Sequence, residues 1–424
     1  MPKLQLHWQI LIAIGLAAVA GWLSGPDGAL GPLVFSEAYD FVGTLFLNGL
    51  KMVIVPLIAA SIISSIASIG SSEDLGRLGV KTISYYMATS LVAILVGLVF
   101  VNVVQPGLRN GEPVGALLNL DMNSDAIAGT IANAEGRGAA DILGIFMDMV
   151  PTNVVQAAAD NQMLALIFFS LLFGYFMTRI PARQGEVLIL FWQGVSETMM
   201  KVTMWVMKFA PIGVFGLVAD TVANTGFAAL MPMLWFFFTV LFALMFHLFV
   251  VLGLLVRIGG KVGPIKHLKA MLPGLLTAFS TASSSASLPV NMECMQKNVG
   301  VSERISSFVQ PLGATINMDG TALYECAAAL FLAQAYGLHL SLGTQFTVVF
   351  IALLTSIGVA GIPAASLVAI AVILTAIGLP VEAIGLLLVT DRVLDMVRTS
   401  INVYSDACCA TVIARSEKED GFLI

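Results

Sequence analysis

The sequence predicts an all-α integral membrane protein, on three observations. Of 424 residues, 58% are apolar (AVILMFWYC) and a further 39 are glycine, while only 11% are charged; a soluble domain carries about 25% charged residues. The apolar residues collect in runs near 8–23, 38–68, 82–104, 163–178, 186–219 and 227–256, most of them long enough to cross a bilayer. After residue 260 the runs are interrupted at their centres by Ser, Gly, Pro, Asn and Asp while both flanks stay apolar, as in broken membrane helices. The chain has length for roughly eight to twelve spans at about 20 residues each.

Several classes are excluded at once. A balance of 20 basic against 26 acidic residues, −6 overall, provides no basic surface for nucleic acid. The four cysteines, Cys294, Cys326, Cys408 and Cys409, form no CxxC and pair with no histidine. No zinc site, disulfide framework or organic cofactor is therefore expected. The four histidines are scattered, and a lone histidine in an apolar run is expected to pack rather than to ligate.

The first run could be mistaken for a secretory leader, because Lys3 precedes apolar residues from Leu11 and Ala18-Val19-Ala20 resembles a cleavage site. A first span followed by many more accounts for the same residues without cleavage, and that is the expectation. Basic residues then set the orientation. With a cytoplasmic N-terminus, the inner loops hold Lys3, Arg77, Lys81, Arg179, Arg183, Arg257, Lys261, Lys266, Lys269, Lys297, Arg304, Arg415 and Lys418. The outer loops hold only Arg109 and Arg137.

This satisfies the positive-inside rule only if the interrupted segments, 264–297 and 343–375, each enter and leave on one side. They are expected to be re-entrant hairpins, the first from inside and the second from outside, alternating with helices near 302–335 and 378–414. Both termini then lie in the cytoplasm and the protein in the cell (inner) membrane. The stretch 105–150, with Pro106, Gly111, Asp121, Asn123, Asp125 and Glu135, is the least hydrophobic and is expected to be an external loop.

The two hairpins echo each other. Thr281-Ala282-Ser283-Ser284-Ser285-Ala286-Ser287-Leu288-Pro289 and Thr355-Ser356-Ile357-Gly358-Val359-Ala360-Gly361-Ile362-Pro363 start 74 residues apart, with small and hydroxyl residues at the centre and a proline after. Small residues let the backbone turn sharply at membrane depth, and hydroxyls satisfy the amides that the turn frees. Paired interruptions of this kind point to a transporter's binding site. Between them, Gly313-Ala314-Thr315-Ile316-Asn317-Met318-Asp319-Gly320-Thr321 predicts a local unwinding that exposes carbonyl oxygens, hard ligands suited to an alkali cation.

Asp391, Asp395, Arg398, Asn402 and Asp406 follow at spacings of 4, 3, 4 and 4, so they share one face of the last helix. A charge at the bilayer centre costs about 2.5–3.5 kcal/mol on insertion scales, so this face must meet protein or water. Asp395 and Arg398 can form a mutual ion pair. Alternatively they divide the work, the carboxylate receiving an ammonium and the guanidinium a second carboxylate. The latter describes a site for a zwitterion with an acidic side chain. Tyr86, Thr89 and Ser90 on an earlier span mean little by themselves.

Competing classes fail on particulars. Gly259-Gly260-Lys261 is followed by Val262, not Ser or Thr, so no phosphate-binding loop is present. No HExxH or Ser/His/Asp arrangement supports a protease, and an asymmetric site does not suit a channel built from repeated filters.

Taken together, Ser283-Ser284-Ser285, Asn317-Met318-Asp319-Gly320-Thr321 and the Asp395-x-x-Arg398-Thr399-x-x-Asn402-x-x-x-Asp406 pattern resemble the dicarboxylate/amino acid:cation symporter family, which includes prokaryotic glutamate and aspartate transporters and the excitatory amino acid transporters. The likeness runs essentially end to end. It implies eight transmembrane helices and two re-entrant hairpins with inverted repeats. It also implies a homotrimer in membrane lipid whose transport domain moves elevator-fashion against a scaffold. On that scheme residues 1–81 are scaffold helices, 82–104 a transport-domain helix, 105–184 the external loop and a scaffold helix, 185–219 a scaffold helix, 220–260 a transport-domain helix and 261–424 the transport-domain core.

The activity implied is sodium-coupled symport of acidic amino acids by alternating access. The protein is then a carrier and not an enzyme, with no catalytic residue and no cofactor beyond Na⁺ as coupling ion. By motif match Ser284, Thr321, Ile362, Asp395, Arg398, Thr399 and Asn402 hold the substrate, with Asp395 on its amino group and Arg398 on its side-chain carboxylate. Gly313, Asn317, Asn402 and Asp406 form one sodium site. Thr315, Ser356, Ile357 and Val359 lend carbonyls to a second. Tyr86, Thr89, Ser90, Asn317 and Asp319 form a third. A proton-coupled dicarboxylate carrier and an anion-conducting activity are the alternative functions.

There are departures from the family pattern. Relatives carry an arginine either where this chain has Ala282 or where it has Met396, and this chain has neither. Arg392, three residues before Asp395 on one helical face, is expected to support that carboxylate instead. Val359, Ala364 and Ser366 make the second hairpin bulkier than glycine-richer forms.

Overall fold

A computed structural model describes residues 6–30, 33–70, 77–118, 120, 147, 149–160, 162–338, 340–358 and 365–419, and these are helical almost throughout. Most of the 105–150 loop, Lys3, Val359, Ile362 and Ala364 lie outside the described residues. The apolar runs become helices because backbone polar groups away from water are satisfied within a helix by its own ladder. Three long helices come first: α1 (Leu6–Ser24), α2 (Phe35–Gly70) and α3 (Arg77–Val104). A short α4 (Val154–Ala159) precedes α5 (Met163–Met177), α6 (Ala182–Met207) and α7 (Ala210–Thr225). Then α8 runs over Leu230–Gly260, widening to π-helix at His247–Leu252 and Val256–Gly260.

The first interrupted segment is broken where expected, and the centre of the second, 359–364, lies outside the described residues. The first comprises α9 (Pro264–Thr281) and α10 (Ser284–Glu293), which runs on as π-helix over Cys294–Val299. Next come α11 (Glu303–Ile316) and α12 (Asp319–Ala335), then α13 (Leu342–Gly358) and α14 (Ala365–Ala376), and last α15 (Ile384–Ser416).

Two expectations need correction. The run 186–219 is not one continuous span: α6 and α7 meet at 51° across Lys208 and Phe209. Pro211, in the first turn of α7, has no amide to continue the ladder from α6. In addition α7 continues to Thr225, so the expected boundary between 219 and 220 falls inside a helix. The break is at Gly226, whose φ of +68° only glycine adopts without strain. The boundaries at 81 and 184 likewise fall inside α3 and α6.

Among the described residues three segments are by length and composition apolar enough to cross a membrane, Phe35–Ser64, Arg77–Val104 and Leu230–Gly260, and the bent α6–α7 pair makes a fourth if it counts as one span. The remaining helices are shorter or carry charge. Phe238, Phe242, Phe249 and Ile258 on α8 stay exposed, a surface that suits lipid. By contrast α12 is buried on every side, from Asp319 to Ala335 save Gln334.

Helices group by packing. In one group α2 lies along α5, α6 and α7, and α1 along α7. In the other α15 is the axis: α8, α9, α11 and α12 pack on it, and α3 packs on α12 and α8. One end of this second group is tied by polar contacts. Arg77 Nη2 and Lys81 Nζ lie 2.9 and 2.6 Å from Glu417 Oε1. The amide of Ser302, which caps α11, donates to Glu419 Oε2 at 3.2 Å, and Arg415 Nε donates to the Gly260 carbonyl at 3.2 Å. At the other end Asn102 Nδ2 donates to Gln345 Oε1 at 2.9 Å, and Gln334 bridges Val101 and Gly107. Arg77, Lys81 and Arg415 thus share one end, and α13 starts at the other.

Candidate functional site

The site forms where broken helices face α15. After Ile316 the chain leaves the helix for two residues, Asn317 (φ −98°, ψ 91°) and Met318 (φ −118°, ψ 57°), before α12 begins. The unwinding lets Gly320 approach α15 closely: a Cβ there would lie 2.8 Å from the Arg398 carbonyl. Its amide donates instead to Asn402 Oδ1 at 2.8 Å, and Asn402 Nδ2 donates to Thr321 Oγ1 at 3.0 Å. Asn402 therefore fixes the start of α12 against the last helix.

The charged face of α15 is buried as its spacing required: Asp391, Asp395, Arg398, Asn402 and Asp406 are all shielded. Arg398 Nη2 lies 3.0 Å from both Asp391 Oδ1 and Asp395 Oδ1. Its guanidinium carbon sits 3.9 Å over the Tyr324 ring, a cation–π contact that fixes its plane. Its Nε and Nη1 are buried and have no partner among the described residues. Arg392 Nη1 lies 3.4 Å from Asp395 Oδ2, so the expected support of that carboxylate is made, and Arg392 is buried rather than drawn out to water. Thr399 Oγ1 donates to the Asp395 carbonyl at 2.8 Å.

Ser284 opens α10 and is buried. The turn before it uses Ala282 in the left-handed region (φ 48°, ψ 40°), and Ser283 accepts from the Ala286 amide at 3.2 Å to cap the new helix. On the other arm Ser400 Oγ donates to the Leu275 carbonyl at 3.2 Å, which ties α9 to α15.

Residues of two of the expected cation groups come into contact. In one, Asn317 Nδ2 donates to Asp406 Oδ1 at 2.9 Å, and a Cβ on Gly313 would overlap Asp406 Oδ1 and come within 2.7 Å of the Tyr86 hydroxyl. Asn402, on the same face of α15, spends its side chain on Gly320 and Thr321. In the other, Ser90 Oγ donates to Asp319 Oδ1 at 2.8 Å and Thr89 Oγ1 lies 3.4 Å from Asn317 Oδ1. Tyr86 turns its hydroxyl to the Val309 carbonyl at 2.8 Å. Apart from Asn317 Nδ2, the groups that meet here are carboxylate, amide and hydroxyl oxygens, and hard oxygens fit an alkali cation. For the remaining cluster, Thr315 and Ser356 spend their hydroxyls on Leu312 and Leu353 carbonyls of their own helices. Val359 and Ile362 lie outside the described residues.

The sequence left four neighbours of the site unassigned. His247 is buried, as expected of a lone histidine in an apolar run, and also makes a polar contact: its Nε2 lies 3.2 Å from Asp319 Oδ2, and Ser405 Oγ donates to the same oxygen at 2.6 Å. Tyr324 carries Arg398. Glu325, buried in α12, accepts from Thr355 Oγ1 of α13 at 2.9 Å, and its Oε1 has no partner. An ionisable group inside an apolar run is itself the signal that could have found Glu325 and His247.

A helical membrane protein whose buried charges and oxygen clusters meet at paired broken helices belongs to the class of cation-coupled secondary transporters. Comparison with known proteins makes the class specific. Residues 6–416 match the Sodium:dicarboxylate symporter family, and the chain belongs to that family. It is 38% identical to a proton/glutamate-aspartate symporter of Escherichia coli (strain K12), across 98% of this chain and 93% of the relative. It is 34% identical to a proton/sodium-glutamate symport protein of Geobacillus stearothermophilus, across 98% of this chain and 96% of the relative. An excitatory amino acid transporter of Caenorhabditis elegans is also 34% identical, across 90% and 82%.

Proposed function

We propose that this chain is a multi-pass carrier of the cell membrane that takes up L-aspartate or L-glutamate together with sodium ions. The observation that carries the reading is Arg398. It is fully buried and held by two carboxylates, with Nε and Nη1 unspent and available to a substrate carboxylate. Asp395 takes the substrate ammonium, while Ser284, Thr321, Ile362, Thr399 and Asn402 complete the pocket. Gly313, Asn317, Asn402 and Asp406 take one sodium ion, and Tyr86, Thr89, Ser90, Asn317 and Asp319 another. Thr315, Ser356, Ile357 and Val359 take a further one beneath the second hairpin.

The helix groups support a division into a scaffold (α1, α2, α5–α7) and a transport unit (α3, α8–α15) that moves against it, elevator-fashion, in a homotrimer embedded in lipid. Eight spanning segments and two re-entrant hairpins, with both termini cytoplasmic, accommodate the basic residues on the inner side.

A second reading, proton coupling, is favoured by Glu325, a buried carboxylate with one oxygen unspent. Relatives are named for both ions. Purified protein in liposomes separates the readings. Labelled aspartate should accumulate under an inward sodium gradient at clamped pH, and not under a proton gradient without sodium. The reverse result assigns the coupling to protons. Succinate competing as well as aspartate would overturn the amino-acid reading, because it leaves Asp395 without an ammonium partner.

A further inference from the structure

The face of α11 that carries Gly313 and Asn317 continues towards the helix start with Gln310 and Ser306, at helical spacing. All four are buried. Three are accounted for. Asn317 Nδ2 binds Asp406 and Ser405, Gly313 lies under Asp406 and Tyr86, and Ser306 Oγ accepts from Gln296 Nε2 at 2.9 Å. Gln310 is the exception: it is 1% exposed, and its Nε2 has no hydrogen-bond partner among the described residues. The adjacent Val309 carbonyl is already taken by the Tyr86 hydroxyl.

A buried amide without a partner costs about 1–3 kcal/mol, a cost that leucine would avoid at the same place. Turned by half a rotation about its last bond, the amide presents Oε1 where Nε2 now stands. That oxygen is a neutral, hard donor about one helical turn, roughly 5 Å along the axis, from Gly313. Its position along α11 is also informative. The helix starts at Ser302, at the end of the molecule closed by Glu417 and Glu419, so Gln310 lies between that end and the Gly313–Asn317–Asp406 cluster.

We propose that Gln310 is a further cation ligand, a transit position where a sodium ion exchanges water for the amide oxygen on its way between the Gly313–Asn317–Asp406 cluster and the Glu417 end. The proposal rests on reading that cluster as a sodium site. The competing account is a resident water on the amide, with no part in cation binding.

The test is a sodium titration of the purified protein without amino acid, read as the rise in thermal unfolding midpoint, for the parent, Gln310→Leu, Gln310→Glu and Asp406→Asn. Gln310→Leu should raise the half-saturating sodium concentration about tenfold, at the low end of what losing a supporting group costs a metal site. Gln310→Glu should lower it, since the oxygen then carries charge, and this arm decides the matter if the leucine variant does not fold. Half-saturation within twofold of the parent in both Gln310 variants, with Asp406→Asn shifted, overturns the role of Gln310 alone. No shift in Asp406→Asn overturns the sodium reading of the cluster and the proposal with it.

Discussion

Replacing Asp391 by asparagine asks whether this carboxylate, rather than Asp395, retains Arg398 once substrate arrives. In the structure both carboxylates share Nη2, each at 3.0 Å. On the proposed reading an ammonium claims Asp395, and Asp391 is the partner that remains. Two unit charges at 3.0 Å interact by about 5.5 kcal/mol at an effective dielectric constant of 20, before desolvation is counted. Asparagine keeps an acceptor in place, and the Tyr324 ring still supports the guanidinium. The net loss is then that of one charge-assisted hydrogen bond, about 1.5–3 kcal/mol. That corresponds to roughly 10- to 150-fold in affinity. Calorimetric titration of L-aspartate at saturating sodium should show this weakening. Affinity within twofold of the parent would refute the argument and leave Arg398 held by Asp395 and Tyr324 alone.

Other perturbations probe the same cluster and its surroundings. Arg398→Thr should weaken aspartate binding by at least about a hundredfold, as when one partner of a buried ion pair is removed, and admit alanine or serine, which calorimetry detects directly. Arg392→Ala should weaken aspartate about three- to tenfold, a modest loss because its 3.4 Å contact with Asp395 is long for a charge-assisted bond. Ala282→Arg in that background should recover part of the loss in the same titration. Hydrogen bonds from Lys81 and then Arg77 hold the Glu417 carboxyl below the ordinary glutamate range. The stability this contributes is present above about pH 4.3, the unfolded value, and is lost as pH falls through the lower folded value. Glu417→Gln should therefore unfold at a lower temperature than the parent near neutral pH, with the gap closing in acid and in high salt.

The parts legible in the sequence were those whose signal lies within one segment. Interruptions at Thr281–Pro289, the unwinding at Asn317 and the five-residue face of α15 are all local patterns, and each appears in the structure at its place. The bend at Lys208–Phe209 was missed because the run on either side stays apolar, and Pro211 is as compatible with a helix start as with a kink. His247 and Glu325 were missed for a different reason. Their partners, Asp319 and Thr355, stand 72 and 30 residues away on other helices, so no spacing announces them. Asp391 was visible as a member of the charged face, but its hold on Arg398 depends on side-chain direction, which periodicity does not convey.

The tie between Glu417 and the start of α3 also constrains how the protein is made. Residues 336 and 340 positions apart are joined there, so the tie cannot form before α15 has been made. By itself α15, with three buried acids (Asp391, Asp395 and Asp406) and two buried arginines (Arg392 and Arg398), has no stable place in lipid. It must enter a groove that α8, α11 and α12 have already formed, where Asp319 and Asn317 wait for Ser405 and Asp406. A chain without α15 would leave Asp319 Oδ2 without Ser405 and Asn317 Nδ2 without Asp406 and Ser405.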